Sequence, residues 1–307
     1  MTAGRLAMLA IMLVAGAIAS AAQKSDFSVS AEEVRVDVLV TVNGKPVENL
    51  KTADFEVFDN GVRQEILYAE IQEKTPVSAI MIFDMSRSVA GEMLIYLKNA
   101  ASNLLADLAS DDHAALITFN NAVALGSLPT RDLAGIKLAL SQAKPAGNSS
   151  LLDASYAGLI LAQSRSDPAL VIIFSDGRDT MSWLTSDAVL EAAKRNEAVV
   201  YAVSAGRIMN RTVLSAESLF ASEYRMPKKT FLNDLTELTG GSLLNVESID
   251  LAAVFRRILE EFRHRYLVTY MPRGVAEGGW HNIEVRVKNR SARVKTRTGY
   301  IRSLRGE

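Results

Sequence analysis

The chain has 307 residues, 49% of them hydrophobic and 22% charged, so it is long enough to bury the core of one large domain or of two smaller ones. The formal net charge of -1 excludes a general electrostatic attraction to nucleic acid or to anionic membranes. The absence of cysteine excludes disulfides, thiolate metal sites, cysteine nucleophiles and lipid attachment through cysteine.

The first 22 residues have the pattern of a secretory signal peptide. Arg5 precedes the apolar run LAMLAIMLVAGAI, and the small residues Ser20 and Ala22 mark a cleavage site before Gln23. The run is shorter than the roughly 20 apolar residues of a membrane-spanning helix. We therefore expect an exported protein of the periplasm, the cell envelope or the extracellular space, with no stable membrane span after cleavage. An uncleaved anchor is the alternative.

Residues 28–72 predict a small antiparallel β segment. In VRVDVLVTV the valines alternate from Val34 to Val42, which places them on one face of a strand. Asn-Gly pairs at residues 43–44 and 60–61 are typical of hairpin turns, and FEVFD and EILYAEI supply further short strands.

Residues 76–265 alternate between strands and helices, which predicts an α/β fold with a doubly wound, mainly parallel sheet of the Rossmann-like kind. The apolar run VSAIMIF is typical of a parallel strand buried on both faces, and apolar residues at helical spacing follow it from Met93 to Leu108. Further predicted strands are HAALITF, its antiparallel edge partner AVALGSL, ALVIIFS, AVVYAVSA and SLLNV. Further predicted helices cover residues 131–143, 150–164, 186–196, 230–240 and 249–263.

Residues 266–303 return to alternating strands, in HRYLVTYMP, WHNIEVRVKNR and SARVKTRTGYI. We expect this C-terminal β segment to pack with the N-terminal one, so that a small β domain built from both ends flanks the inserted α/β domain. Its basic residues are interpreted as a solvated face and not as a nucleic-acid-binding surface. They are Arg286, Lys288, Arg290, Arg293, Lys295 and Arg297.

Oxygen-bearing side chains follow the predicted strands at the points where these end. In an open parallel sheet, ligands bind at the carboxyl ends of the strands. Three segments place such residues there: IMIFDMSRSV, the loop PAGNSSLLDASY, and VIIFSDGRDT. The residues are Asp84, Ser86, Ser88, Ser149, Ser150 and Asp176. An all-oxygen set without histidine or cysteine suits a hard cation, Mg²⁺ or alternatively Mn²⁺ or Ca²⁺.

Each of these motifs has a purely structural alternative. Asp84, Ser86 or Ser88 is a suitable N-cap for the following helix, and the SDG sequence at Asp176 is typical of a turn. Their joint occurrence at three strand-end loops favours a common site over three unrelated local roles.

The motifs DMSRS, GNSSLLDA and IIFSDGRDT resemble the von Willebrand factor type A domain and its metal-ion-dependent adhesion site, over about residues 76–265. The segments on either side resemble exported bacterial proteins called VWFA-related. The resemblance implies that five side chains hold a cation directly or through water, and that an Asp or Glu carboxylate of a protein partner completes the coordination. These five are Asp84, Ser86, Ser88, Ser149 and Asp176.

One of these residues departs from the family pattern, and two more stand beside the set. Ser149 occupies the position of the family's threonine, so we expect a weaker or more mobile ligand there, because serine lacks the methyl group that stiffens the side chain. Ser150 and Asp179 are expected as supporting residues around the ligands. For Asp179, an ordinary surface aspartate near a turn is the alternative.

Enzyme motifs are missing from the sequence, which contains no G-x-S-x-G, H-E-x-x-H, G-x-G-x-x-G or G-x-x-x-x-G-K-[ST]. The function predicted is therefore an exported, metal-dependent protein-binding or adhesion module and not an enzyme. A metal-dependent hydrolase, or a structural cell-envelope protein with a vestigial site, are the alternatives. His113 is interpreted as structural and His281 as a surface residue of a turn region.

The segment 206–230 is long for a connection and is rich in Arg and Lys. Because it follows the strand AVVYAVSA, we expect it on the same side of the sheet as Asp84 and Asp176. A basic loop beside a cation favours acidic partners. A surface loop without any partner is the alternative.

Overall fold

The computed structural model describes residues 33–205, 230–246 and 251–302. The predicted signal peptide and almost all of the basic segment 206–230 lie outside these residues. None of the helices within the described ranges is long and apolar enough to cross a membrane.

The N-terminal part of the chain contains five short strands. In chain order these are β1 (Val34–Val42), β2 (Lys45–Pro46), β3 (Phe55–Asp59), β4 (Val62–Gln64) and β5 (Ile66–Ile71).

The central part alternates strands with helices. Its strands are β6 (Ser78–Asp84), β7 (His113–Phe119), β8 (Val123–Thr130), β9 (Ala169–Ser175), β10 (Val199–Ala205) and β11 (Ser242–Val246). Its helices are α1 (Glu92–Asp107), α2 (Leu133–Gln142), α3 (Leu151–Ala162), α4 (Ser186–Lys194), α5 (Phe231–Thr239) and α6 (Leu251–Arg263). The C-terminal strands are β12 (Tyr266–Tyr270), β13 (Gly279–Val287), β14 (Arg293–Lys295) and β15 (Gly299–Arg302).

The central sheet has six strands in the order β11-β10-β9-β6-β7-β8. All neighbours are parallel except β8, which pairs antiparallel with β7 at the edge, as the sequence predicted. Every residue of β6 and of β9 is buried, because helices cover both faces of the sheet. Helices α1, α2 and α6 pack on one face and α3, α4 and α5 on the other. The predicted fold class, a doubly wound α/β sheet with flanking antiparallel sheets, is confirmed.

Strands from the two ends of the chain pair with one another. Strand β1 lies between β12 and β14, and β3 pairs with β13, all antiparallel. The alternating valines of β1 from Val34 to Val40 are buried in a common core with Tyr266, Val268 and Tyr270 of β12. This pairing is what a β domain built from both ends requires; the domain boundaries themselves stay a prediction.

His281 lies in this β region and is fully buried, so its interpretation as a surface residue was wrong. The physical reason is the period of β13, in which His281 faces inward together with Ile283 and Val285. Its Nδ1 lies 2.7 Å from Oδ1 of the buried Asp59. The hydroxyls of Tyr270 and Tyr300 both donate to the other oxygen of Asp59, each at 2.9 Å.

We predict that Asp59→Ala lowers the free energy of unfolding by about 3 kcal/mol, because it leaves two buried hydroxyls and a buried imidazole without their partner. Urea unfolding followed by circular dichroism measures the change. Glu65→Ala is the control, since it breaks only the exposed ion pair with Arg273 and should leave the unfolding midpoint nearly unchanged. An equal response of the two variants would contradict the prediction.

Candidate functional site

Three loops meet at the carboxyl ends of β6 and β9. The two strands are parallel neighbours, with Phe83 opposite Phe174, so Asp84 and Asp176 leave the sheet at the same edge. The loop between α2 and α3 is fastened to the loop after β6. The amide of Ala146 donates to the carbonyl of Met85 at 2.8 Å, and the amide of Arg87 donates to that of Gly147 at 3.2 Å.

Asp84 is the centre of this arrangement, and its side chain is fully buried. One carboxylate oxygen, Oδ1, accepts a hydrogen bond from the amide of Ser86 at 2.8 Å. The other, Oδ2, accepts from the hydroxyls of Ser175 at 2.9 Å and of Ser149 at 3.3 Å. All the hydrogen-bond donors around this buried carboxylate are therefore neutral groups.

The pKa of Asp84 is raised above its ordinary value. Burial is the main cause, because it disfavours the charged form; the negative charge of Asp176 adds to it, and the bonds from Ser86 and Ser175 oppose it. The ionised carboxylate is thus only partly stabilised by its protein surroundings. A positive charge beside it would favour the ionised form.

Ser86 and Ser88 lie two residues apart on the short connection between β6 and α1. A single 3-10 turn, Arg87–Val89, separates β6 from α1 and brings the two serine hydroxyls to 2.9 Å from each other. Ser86 is buried and Ser88 is exposed, so the pair runs from Asp84 towards solvent. Helix α1 begins after Gly91 with no side-chain cap, so the alternative that Asp84, Ser86 or Ser88 caps this helix was wrong.

Asp176 is half-buried and lies in a turn, as the SDG sequence indicated. Its Oδ1 accepts from the amide of Arg178 at 3.0 Å, and Gly177 adopts a positive φ of 80° that favours glycine. The turn interpretation of SDG is therefore correct, and it is compatible with a site, because the turn places the carboxylate one residue beyond β9 next to the end of β6.

The two predicted supporting residues have different surroundings. Asp179 accepts bonds from the amide of Leu152 at 3.2 Å and from the hydroxyl of Ser182 at 2.5 Å, so it is bound to the first turn of α3. Ser150 is buried, and its hydroxyl has no hydrogen-bond partner among the described atoms.

Sequence reasoning missed Ser175 as part of this site. Its hydroxyl donates to Asp84 and accepts from the amide of Gly177 at 3.1 Å, so it joins the two loops that carry the acidic residues. The signal was present in the sequence, since Ser175 is the one polar residue of the otherwise apolar strand ALVIIFS.

The geometry thus brings together two carboxylates and several hydroxyls from three loops. Within the described ranges, no group of three or more His, Asp or Glu residues has metal-binding geometry, so carboxylates alone do not make a metal site. The mixed set of carboxylate and hydroxyl oxygens has the chemistry that a hard divalent cation requires. Cation binding by these residues stays a prediction.

The central part of the chain is similar to known proteins. No curated protein sequence matches it. Residues 79–178 match the family model of the von Willebrand factor type A domain. The structure of a von Willebrand factor type A protein from Catenulispora acidiphila is similar over 91% of this chain and 76% of that one, with 9% identity and a TM-score of 0.51. At this identity the likeness concerns the fold.

Two further solved structures are similar over a smaller part of the chain. One is the vWF domain of the type V pili tip protein Mfa5 from Porphyromonas gingivalis, with 11% identity, a TM-score of 0.46, and coverage of 66% of this chain and 98% of that one. The other is BatB from Bacteroides thetaiotaomicron, with 15% identity, a TM-score of 0.46, and coverage of 60% and 98%.

We predict that Asp84→Asn stabilises the chelator-treated protein at neutral pH. A carboxyl whose pKa is raised in the folded state destabilises the fold above that pKa, and this effect is absent below its unfolded pKa of 3.8. The thermal midpoint of the variant should therefore exceed that of the wild type at pH 7, and the difference should shrink as the pH falls towards about 4.

Thermal unfolding across this pH range measures the effect, with Glu73→Gln in an exposed turn as the control. A lower midpoint for Asp84→Asn than for the wild type at pH 7 would contradict the prediction.

Proposed function

We propose, from the premise that residues 79–178 form a von Willebrand factor type A domain, that this protein binds a divalent cation at Asp84 and, through it, a protein partner that presents an Asp or Glu carboxylate. The remaining ligands would be Ser86, Ser88, Ser149 and Asp176. Mg²⁺ is the cation favoured, with Mn²⁺ and Ca²⁺ as alternatives. The signal-peptide pattern of residues 1–22 supports a place outside the cytoplasm.

The observation that carries the proposal is the contrast between Asp84 and Asp112, another buried aspartate of the described chain. Asp112 contacts the guanidinium of Arg263 and accepts bonds from two backbone amides. Asp84 has only neutral donors and a second carboxylate nearby. A buried anion without a positive partner is costly, which favours a cation from outside.

The burial of the site residues indicates on which side the proposed site opens to solvent. Asp84 and Ser149 are buried, Asp176 is half-buried, and Ser88 is exposed. A bound divalent cation supplies a coordination position that an outside carboxylate can occupy. Ser88 and Asp176 lie on the solvent side, so they border the opening through which that carboxylate would enter. The hydroxyl of Ser149, which donates to Asp84 in the metal-free arrangement, would turn its lone pairs to the cation.

A metal-dependent hydrolase would need a general base at the same edge of the sheet. None of the three histidines of the chain lies there. His113 begins β7 and pairs with Ser78, while Asp84 pairs with Phe119 at the other end of the strand, about 20 Å away. His264 follows α6, and His281 is buried in the β region. This placement excludes a histidine base at this edge of the sheet.

We predict that chelator-treated protein binds Mg²⁺, Mn²⁺ or Ca²⁺ with one saturable isotherm in calorimetry, and that Asp84→Ala abolishes it while Asp187→Ala does not. The reason is that Asp84 contributes the central negative charge, whereas Asp187 is exposed on α4. Circular dichroism of the chelated protein should remain native, because the sheet core is apolar and independent of the ion. Unfolding on chelation, or unchanged metal binding in Asp84→Ala, would contradict the proposal.

We also predict that Ser175→Ala lowers metal affinity by about tenfold or more, since groups that orient a ligand typically contribute this much. The change removes the hydrogen bond that positions Oδ2 of Asp84. Ser164→Ala is the matched control, because the Ser164 hydroxyl bonds only the carbonyl of Leu161 on the surface. Competition with a fluorescent metal indicator measures both variants, and equal affinities would contradict the role given to Ser175.

A further inference from the structure

An exposed tryptophan stands on the loop that follows Asp176. The side chain of Trp183 is 96% exposed. The chain has two tryptophans, and the other one, Trp280, is half-buried, with its indole nitrogen bonded to Asn282 at 2.9 Å and the ammonium of Lys194 5.4 Å from its ring. Large aromatic side chains in full contact with water are unfavourable, and they are enriched at the centres of binding interfaces.

The backbone that carries Trp183 is firmly held. Its amide donates to both carboxylate oxygens of Asp153, each at 3.1 Å, and the amide of Leu184 donates to Asp153 at 3.0 Å. Earlier in the loop, the amides of Thr180 and Met181 donate to the carbonyl of Ser149 at 2.9 and 3.0 Å. The indole is thus presented by an ordered loop, which lowers the entropy lost when a partner binds it.

Further exposed apolar side chains lie beside this loop. Met181 is 43% exposed. Tyr156 and Ile160 of α3 are also exposed, and their spacing of three and seven residues from Asp153 places them on the helix face to which the loop is bonded. We call Met181, Trp183, Tyr156 and Ile160 the apolar surface. Scattered exposed apolar residues are ordinary, but Met181 and Trp183 belong to the same loop as Asp176 of the proposed metal site.

The proposed cation indicates the kind of partner. The side chain of Arg178 is 66% exposed, but its Nε lies 4.0 Å from Oδ2 of Asp176, so its charge is already partly balanced within the loop. The requirement for an acidic residue therefore comes from the proposed cation. The neighbouring apolar surface favours an apolar or aromatic side chain next to that acidic residue.

We propose that the apolar surface, centred on Trp183, selects among acidic protein segments those that carry an apolar or aromatic side chain beside the carboxylate that reaches the cation. This inference rests on the proposed function, because the carboxylate fixes the segment at the metal site. The cation binds only segments that carry an Asp or Glu, and Trp183 determines which of these acidic segments bind most tightly.

An array of short peptides tests the selection. Each peptide has a central aspartate, or asparagine as its counterpart, and the neighbouring positions cover all residue types. In Mg²⁺, the wild type should bind the aspartate series and prefer apolar or aromatic neighbours. Trp183→Ala should lose this preference and bind the best peptides about tenfold or more weakly, while still requiring aspartate and Mg²⁺. Leu138→Ala, which removes an exposed apolar side chain of α2, is the matched control and should behave as the wild type.

Fluorescence gives a second measurement on the protein itself. In Trp280→Phe, Trp183 is the only remaining tryptophan, so its emission reports on its own surroundings. The best array peptide should shift this emission to shorter wavelength, because the indole leaves water, and chelation should reverse the shift. Trp183→Phe, which keeps an aromatic ring, should retain part of the affinity that Trp183→Ala loses.

The outcomes separate the inference from the proposed function. If Trp183→Ala keeps the wild-type preference, or if the emission of Trp183 does not change with a bound peptide, the inference is overturned while metal-dependent binding stands. If peptides bind equally well with chelator or in Asp84→Ala, the proposed function fails and the inference fails with it. The absence of any preference in the wild-type array also overturns the inference.

Discussion

The position of β6 inside the sheet determines where polar chemistry can occur in this protein. Strand β6 pairs with β7 on one side and with β9 on the other, and helices cover both faces, so each of its residues is buried. Polar ligands are excluded from such a strand until it ends, and the reversal of strand order on its two sides leaves a crevice at that end. Asp84 is the last residue of β6, and the loops carrying Ser149 and Asp176 have no other edge at which to meet it.

The same position makes the ionised form of the Asp84 carboxylate unfavourable, because it is buried away from water. A fully buried carboxylate is stabilised by a permanently charged partner, as Asp112 is by the guanidinium of Arg263. At Asp84 the chain instead supplies hydroxyls and one amide, which are donors that can change partners. Side chains with fixed positive charge would have stabilised the carboxylate permanently and closed the site. The arrangement therefore favours exchangeable partners at Asp84 over a permanently stabilised carboxylate.

Much of this organisation follows from local patterns in the sequence, and the rest depends on pairings that no local pattern contains. The apolar runs of β6 and β9 and the period of α1 were sufficient to predict the sheet, its helices and the strand-end residues. The partner of β1 is β12, more than 200 residues away, and only the folded chain shows that they share a sheet. His281 was misplaced because it follows Trp280 beside a predicted turn, whereas the inward face of β13 and the partner Asp59 bury it. Ser175 and Trp183 were missed because their roles come from loops that meet only in three dimensions.

Ser149 joins the two halves of the proposed binding surface. Its hydroxyl donates to Asp84, and its carbonyl accepts the amides of Thr180 and Met181, which begin the loop that carries Trp183. One residue therefore contacts both Asp84 and the loop that carries the exposed indole. A threonine would have a stiffer hydroxyl at this position, whereas the serine hydroxyl can rotate while the carbonyl stays bonded. The hydroxyl can thus change its partner without moving the loop, so the proposed cation binding and the proposed role of Trp183 need no common conformational change.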